Sequence, residues 1–421
     1  MLLLAAGCFG EMASCEMAGI TNYPPLVQAK YWQDKCEDAD NIVGDAAAIS
    51  CEIVKNSPSV YNLAAYPETA DGSKIKSEMK TSASLDGEVY QNGQLVSAAA
   101  RQRLDDELNL AALKEKIAVR YGVCVNHANL RALPSAEGIF ASPYDNQFDN
   151  LQDTTLDAGE AVLILHTSLS GKFYYVQAVN YRGWVSAAAV AETDRQSWLS
   201  YAEMKNFLVT TARNFSLIEG GEKKLYQMGA RLKLQAKTKT GWQVLVPFRT
   251  SDGSLAEKEV ALAFSDDFNE GYLSYTRRNI LAQAFKYYGA PYGWGGLFES
   301  EDCSGFIADV YKTVGIRLPR DADEQEESYG THFYLSGLSS DERKSLICEK
   351  LLAGDVLAMN GHIVMYIGNI GGEPYIVHAL GGYYEGGARI GVMRVVVSDL
   401  NLTLSSGRTH LEAFRQGVSW R

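Results

Sequence analysis

Seven cysteines in 421 residues are too few for a disulfide scaffold, and none of them makes the CxxC pair of a zinc site. No stretch approaches the roughly 20 apolar residues needed to span a bilayer, which argues against an integral membrane protein. Basic residues are also in short supply. Lys and Arg number 39 against 51 Asp and Glu, a net charge of −12, and no run of like charge exists to follow a phosphate backbone. Nucleic acid is therefore not an expected partner. What is present is ordinary for a folded chain: 46% hydrophobic and 21% charged residues, which excludes the disordered, collagen-like and coiled-coil classes. Hydrophobic cores stop growing near about 250 to 300 residues, so three or four domains are expected.

Met1 to Cys8 (MLLLAAGC) reads like the end of a secretory apolar region running into the small-residue-plus-Cys signal of a lipoprotein. No basic segment precedes it, so a leader cut short, a start placed too far downstream and a chance apolar tail all stay open. The expectation is an exported protein of the periplasm or cell envelope, lipid-anchored if Cys8 is modified, with the cytoplasm as the alternative. Cys36 and Cys51 are candidates for a bridge if the compartment is oxidising. Cys124 and Cys348 lie in apolar surroundings and are expected as small buried hydrophobes.

The pattern along the chain divides it into five parts. Residues 1–40 mix Gly, Pro-Pro and charges without a period and read as a leader, tail or clip wrapped on other domains. Residues 41–122 read as a mostly helical N-terminal domain, with a compact apolar segment at Ala46–Val54 and a helix over Ser97–Val119 whose Leu104, Leu108, Ala111 and Ala112 share a face. Short β-like runs broken by turn residues follow in two sets, over residues 123–195 and 196–270, and suit two neighbouring SH3-like barrels. Two generic β-meanders would give the same pattern. Residues 271–421 combine amphipathic helices at Thr276–Tyr288 and Ser304–Val314 with strands from Asp355 onward, an α+β arrangement.

Chemistry concentrates in that last part. Cys303 follows Asp302 and opens a helix, so its sulfur would lie at the positive end of the helix dipole, and an acidified thiol is expected. Gly305 would let backbone and substrate approach closely. A lone Cys on an apolar helix is more often core filling. His362 begins a strand and His378 lies near the end of the next, and the short connection from Gly368 to Pro374 permits a hairpin that sets the two rings side by side. A thiol with two such histidines has the logic of a papain-like site, in which one His takes the proton and the other orients it.

The residues Tyr292-Gly293-Trp294-Gly295-Gly296, Asp302-Cys303-Ser304-Gly305-Phe306, Leu318-Pro319-Arg320-Asp321, Gly354-Asp355-Val356-Leu357, Gly361-His362-Ile363-Val364-Met365-Tyr366-Ile367-Gly368 and Val377-His378-Ala379 together resemble the NlpC/P60 family of cell-wall cysteine peptidases. In the β-rich part, Asn129-Leu130-Arg131-Ala132-Leu133-Pro134 and Tyr181-Arg182-Gly183-Trp184-Val185 resemble bacterial SH3 domains. A stabilising N-terminal domain followed by two such domains resembles the subgroup of γ-D-glutamyl-L-diamino acid endopeptidases of dipeptidyl-peptidase VI type.

The resemblance implies a papain-like C-terminal domain that cuts murein stem peptides between γ-D-Glu and the diamino acid, meso-diaminopimelate being the expected one, with a free N-terminal L-Ala. Cys303 would be the nucleophile, His362 the base and then the acid, and His378 the orienting residue. The Tyr292 hydroxyl would help the Cys303 N–H hold the oxyanion, and Trp294 would line the wall. Asp302 and Ser304 would bind the free amino end, although Asp302 serves equally well as a helix cap. Asp149 and Tyr181 of the first SH3-like domain are the nearest candidates to close the cleft. Ala322 stands where a small hydroxyl residue would be expected. No metal or cofactor is implied, and a monomer is expected. Three alternatives remain: a metal hydrolase using His362, His378 and an acid; a wall-binding scaffold with an inactive peptidase domain; and a hydrolase of intact, glycan-attached wall.

Overall fold

In the computed structural model, which describes residues 19–82, 85–219 and 221–421, the described chain begins as a clip. Cys8 and its surroundings lie outside the described residues. β1 (Ile20–Thr21) adds an edge strand to the C-terminal sheet. α1 (Ala29–Lys35) drives Trp32 into the C-terminal core, where its indole N–H donates to the Leu26 carbonyl at 2.8 Å and its ring meets Tyr375. Residues 19–40 thus build no core of their own.

The next stretch holds α2 (Ala46–Asn56), α3 (Gly72–Ser82) and α4 (Ala98–Glu107). Between them run the short strands β2 (Thr69–Asp71), β3 (Tyr90–Gln91), β4 (Gln94–Leu95) and β5 (Lys116–Ala118). The helix expected over Ser97–Val119 stops at Leu108, because Asn109 takes a left-handed conformation with φ 52°, a cap that Asn tolerates better than most residues. Nor is 41–122 a unit with its own core. Ile49 and Ile53 of α2 join the C-terminal core. Ile75, Met79, Leu108 and Ile117 pack with Leu163, Tyr175 and Trp184 of the following β region.

That region contains β6 (Arg120–Cys124), β7 (Ala128–Arg131), β8 (Gln152–Leu156), β9 (Ala161–Thr167), β10 (Phe173–Gln177), β11 (Arg182–Ser186) and β12 (Val190–Thr193). They form one sheet in the order β12-β6-β9-β10-β11-β7-β8. After α5 (Arg195–Ala202) a second β region comprises β13 (Phe207–Thr210), β14 (Asn214–Glu219), β15 (Glu222–Gln227), β16 (Arg231–Lys237), β17 (Gly241–Arg249), β18 (Leu255–Ala263) and β19 (Phe268–Glu270). Five of these strands make a sheet in the order β18-β17-β16-β13-β19, while β14 and β15 form a separate hairpin.

The C-terminal region runs α6 (Arg277–Phe285), α7 (Cys303–Lys312), α8 (Ala322–Glu326), β20 (Thr331–Tyr334), α9 (Ser340–Lys350), β21 (Val356–Met359), β22 (His362–Ile370), β23 (Glu373–Glu385), β24 (Ala388–Ser398), α10 (His410–Ala413) and β25 (Gln416–Ser419). Its sheet has the order β1-β24-β23-β22-β21-β25-β20, antiparallel throughout. β22 reads as a nearly unbroken apolar run because both of its faces are covered. Ile363, Met365 and Ile367 face the core that holds α6 and α7, while Val364 and Tyr366 face the one that holds α9 and α10.

Cys36 and Cys51 are free thiols, so the bridge considered for them is not formed. Cys348 is only half-buried, unlike Cys124.

Candidate active site

α7 starts at Cys303 because Asp302 caps it, its Oδ1 accepting the Gly305 N–H at 2.9 Å. Phe306, Ile307, Val310 and Tyr311 anchor the helix in the core, so the thiol at its first residue is held by both ends of the turn. A Cβ on Gly305 would lie 2.0 Å from the Glu301 Oε2, so a side chain there would have to displace that carboxylate. Close approach here is made by a buried carboxylate behind the helix start.

The two histidines meet as expected from the hairpin. β22 and β23 pair antiparallel across the Gly371-Gly372 turn, and His362 Nε2 lies 2.9 Å from His378 Nδ1. With Nε2 engaged, Nδ1 is the nitrogen of His362 left for a thiol. The Cys303 sulfur accepts from the backbone N–H groups of Ile363 and Ser304, which places it beside the first residues of β22. His410, absent from the sequence reading, packs on both rings with centroids 6.1 Å from His362 and 5.8 Å from His378. Nothing in the sequence flagged it, because α10 is a single short turn remote from every motif.

Burial governs the charges. The Cys303 thiol is pushed up to about 12, first by burial and then by the Asp302 carboxylate, against the favourable amides. This runs against the expectation of an acidified thiol: desolvation and the Asp302 carboxylate outweigh the backbone amides and Arg320, which favour ionisation. Burial likewise holds His362 down to about 3, with His410 adding to it, and His378 well below its ordinary value. The resting pair is a neutral thiol and neutral imidazoles.

Asp302 is spent. Arg320 donates to its Oδ2 at 2.6 Å and its Oδ1 at 3.1 Å, Gly295 N–H donates to Oδ2, and the Ser304 hydroxyl leans on Oδ1 at 3.3 Å. A carboxylate offers about four lone-pair sites, and these contacts fill them. Arg320 also donates to Ser304 Oγ at 2.9 Å and to Thr154 Oγ1 of β8 at 2.9 Å. Asp302 and Ser304 therefore belong to a buried guanidinium network, and the roles of free amine ligands expected for them have no open acceptor on Asp302.

Asp149 is corrected in the same way. It is buried in an ion pair with Arg131 at 2.8 Å and accepts the N–H groups of Ile139 and Leu151, so it holds its own loop. Four residues on, Asp153 of β8 is hydrogen-bonded to Tyr181. Its carboxyl is raised to about 7 by burial first and then by Asp321, and Asp321 is itself raised by burial. Asp153, Tyr181 and Asp321 form an acidic cluster beside Arg320, one network away from Cys303. The alternation of β8, with Gln152, Thr154 and Leu156 buried and Asp153 and Thr155 less so, is the signal that would have pointed to Asp153 over Asp149.

Tyr292 is buried, and its ionisation is opposed by burial and then by the charges of Cys303 and Asp302, which places its hydroxyl close to the nucleophile. Its ring meets Phe148, which also stacks edge-on against Trp294. The Trp294 indole N–H donates to the Asp149 carbonyl at 3.1 Å, so Trp294 joins the two domains as wall packing. The loop after it presses on β8: Gln152 donates to the Gly295 carbonyl at 2.7 Å, and a Cβ on Gly295 would strike Gln152 at 2.7 Å. Gly295 and Gly296 also sit at φ 56° and 85°, so close approach and backbone both call for glycine.

Among the described residues no group of three His, Cys, Asp or Glu is placed to hold a metal, and no helix is long and apolar enough to cross a membrane.

The NlpC/P60 family model matches residues 289–384, and an SH3 domain model of SH3b1 type matches residues 139–186. Over 100 residues the chain is 30% identical to the bifunctional muramidase/DL-endopeptidase CwlT of Bacillus subtilis (strain 168), covering 21% of this chain and 26% of that protein. Over 54 residues it is 37% identical to the gamma-D-glutamyl-L-lysine dipeptidyl-peptidase of the same strain, covering 13% of this chain and 18% of that protein. The chain thus aligns with about a quarter or less of these relatives' length. A solved NlpC/P60 endopeptidase from Photobacterium damselae subsp. piscicida shares the fold with TM-score 0.75 at 19% identity, covering 91% of this chain and 95% of its own. Residues 289–384 are therefore an NlpC/P60 domain, of a cysteine peptidase family with cell-wall DL-endopeptidase relatives, and residues 139–186 belong to an SH3 domain of SH3b1 type.

Proposed function

We propose that the protein is a thiol peptidase that cuts murein stem peptides between γ-D-Glu and an L-diamino acid, taking substrates with a free N-terminal L-Ala. The observation that carries the reading is the contact of His362 Nε2 with His378 Nδ1 beside Cys303 at the capped start of α7. Cys303 attacks the scissile carbonyl as His362 Nδ1 takes its proton. The resting thiol is neutral, so thiolate forms with substrate in place. The Cys303 N–H and the Tyr292 hydroxyl receive the oxyanion, an arrangement worth a few kcal/mol in related chemistry. His362 then returns the proton to the leaving amine, and water attacks the thioester by the same route.

Recognition of the amino end falls to Asp153, Tyr181 and Asp321. Burial and Asp321 raise the Asp153 carboxyl to about 7, and an ammonium group would displace its proton and pair with the carboxylate, a contact that an N-acetyl substrate cannot make. The SH3b1-type domain supplies Asp153 and Tyr181, and residues 196–270 act as a second SH3-like unit. The match to a muramidase/DL-endopeptidase and to an SH3 domain model of SH3b1 type supports a place at the cell wall for this protein.

The test is kcat/KM for L-Ala-γ-D-Glu-diamino acid peptides and their N-acetyl counterparts, with product masses. The free amine should be preferred by about a hundredfold, the cost of an unpaired buried charge. Equal rates would instead favour an enzyme of intact, glycan-attached wall.

A further inference from the structure

Behind the two histidines the hydrogen bonds continue to a group that can only accept. Ser398, the last residue of β24, is fully buried, and its hydroxyl donates to the Asp399 carbonyl at 2.8 Å. Its oxygen lies 3.2 Å from His378 Nε2. A hydroxyl has one hydrogen, and the carbonyl takes it, so the Ser398 oxygen accepts and His378 Nε2 must carry the proton. His378 Nδ1 is then a lone pair, which requires His362 Nε2 to be the donor of the 2.9 Å bond between the rings. His362 Nδ1 is left bare. That is the tautomer a base needs; the reverse polarity would put a hydrogen where the thiol proton has to go.

We propose that Ser398 is a positioning residue of the thiol–imidazole site, setting the tautomer of both histidines through the acceptor-only Asp399 carbonyl. The inference rests on the peptidase reading for its consequence and on hydrogen-bond polarity for its substance. Strand pairing and local hydrogen bonds hold Ser398 and Asp399 in place. Ser398 pairs with Ile376 of β23, two residues from His378, and with Ile20 of the clip strand β1. The Asp399 N–H donates to the Gly19 carbonyl at 2.9 Å, and both Asp399 carboxylate oxygens are tied to Asn401. The N-terminal clip thus braces the segment that orients the base. His410 touches both rings through ring packing and sets no polarity.

The direct test is the ¹⁵N spectrum of histidine-labelled full-length protein without substrate, with His378 and His362 assigned by loss of their signals in His378→Gln and His362→Gln variants. Both rings should be neutral and protonated at Nε2. A wild-type His378 protonated at Nδ1, or an even mixture, would overturn the assignment without need of any Ser398 variant. Ser398→Ala should mix the tautomers and lower kcat about tenfold, the size of one lost neutral hydrogen bond, with KM little changed. Ser398→Thr, which keeps the hydroxyl, should restore both the spectrum and kcat. Loss of kcat in Ser398→Ala with the wild-type tautomer retained would show a packing effect and sink the proposal. If the wild type cuts no stem peptide, the activity reading falls while the ring tautomers still decide the role of Ser398.

Discussion

The two β regions meet the peptidase-fold region at different residues of the segment around Cys303, and they touch each other where Thr155 of β8 donates to Gln227 of β15 at 2.9 Å. The first enters the cleft: β8 sends Gln152 to the Gly295 carbonyl and Thr154 to Arg320, and Asp153 with Tyr181 faces the same network. The second stays behind. Gln227 of β15 donates to the buried Glu301 at 2.9 Å, and Arg213 and Asn214 hold the Glu299 carbonyl. Similar strand-and-turn patterns therefore serve different ends, one region shaping what enters and the other bracing the loop that precedes α7.

The largest expected effect precedes this contrast and underlies it. Cys303→Ala should abolish hydrolysis by several decades while leaving thermal unfolding nearly unchanged; a variant retaining more than about a hundredth of the activity would remove the thiol from the mechanism. Next comes Asp302→Asn, which leaves the Arg320 guanidinium buried without its counter-charge and should cost about 3–5 kcal/mol of stability in denaturant unfolding. A stable Asp302→Asn enzyme that loses only its preference for free amines would return Asp302 to substrate binding.

Asp153→Asn should act the other way, leaving the melting temperature alone and erasing most of the preference for free-amine peptides over N-acetyl ones. In the wild type that preference should grow as pH rises through about 7, where Asp153 gives up the proton that burial and Asp321 make it keep, and fade as the substrate amine deprotonates near about 8. A preference flat across this range would place amine recognition elsewhere. Because burial raises the Cys303 thiol, its alkylation in the free enzyme should speed up by about tenfold per pH unit from pH 6 to 8, and a plateau there would mean a standing thiolate. The smallest change is expected at the back: Gln227→Ala should lower stability by about 1–3 kcal/mol with the free-amine preference intact. A shift in that preference would erase the distinction between the two β regions.

Local pattern made much of the architecture legible. Strands such as Ala161–Thr167 and Phe207–Thr210, and the helices starting at Arg277 and Cys303, lie within a residue or two of where periodicity and turn residues put them. The β14–β15 hairpin escaped notice because Asn214–Glu219 and Glu222–Gln227 carry more charge than a half-buried ladder usually shows. The helix at Ser97–Val119 failed at Asn109, where one left-handed residue outweighs a favourable apolar stripe. Among site residues, the thiol and the two histidines announced themselves by motif. Arg320 stood inside a quoted motif without a role, since nothing local reveals that its guanidinium spans Asp302, Ser304 and Thr154.

What the sequence determined by itself is what short-range chemistry can specify: a cap and a helix start that place Cys303, a two-residue turn that brings β22 against β23, and hence two imidazoles in contact. The tertiary structure decided the charges and the partners. Whether a carboxylate is spent or open depends on which distant donors reach it, and that separates Asp302, saturated, and Asp149, buried against Arg131 and two backbone N–H groups, from Asp153, left facing Tyr181 and Asp321. Whether a thiol at a helix start is acidic depends on how much water the surrounding domains exclude, and here burial raises the Cys303 thiol despite the backbone amides that favour its ionisation.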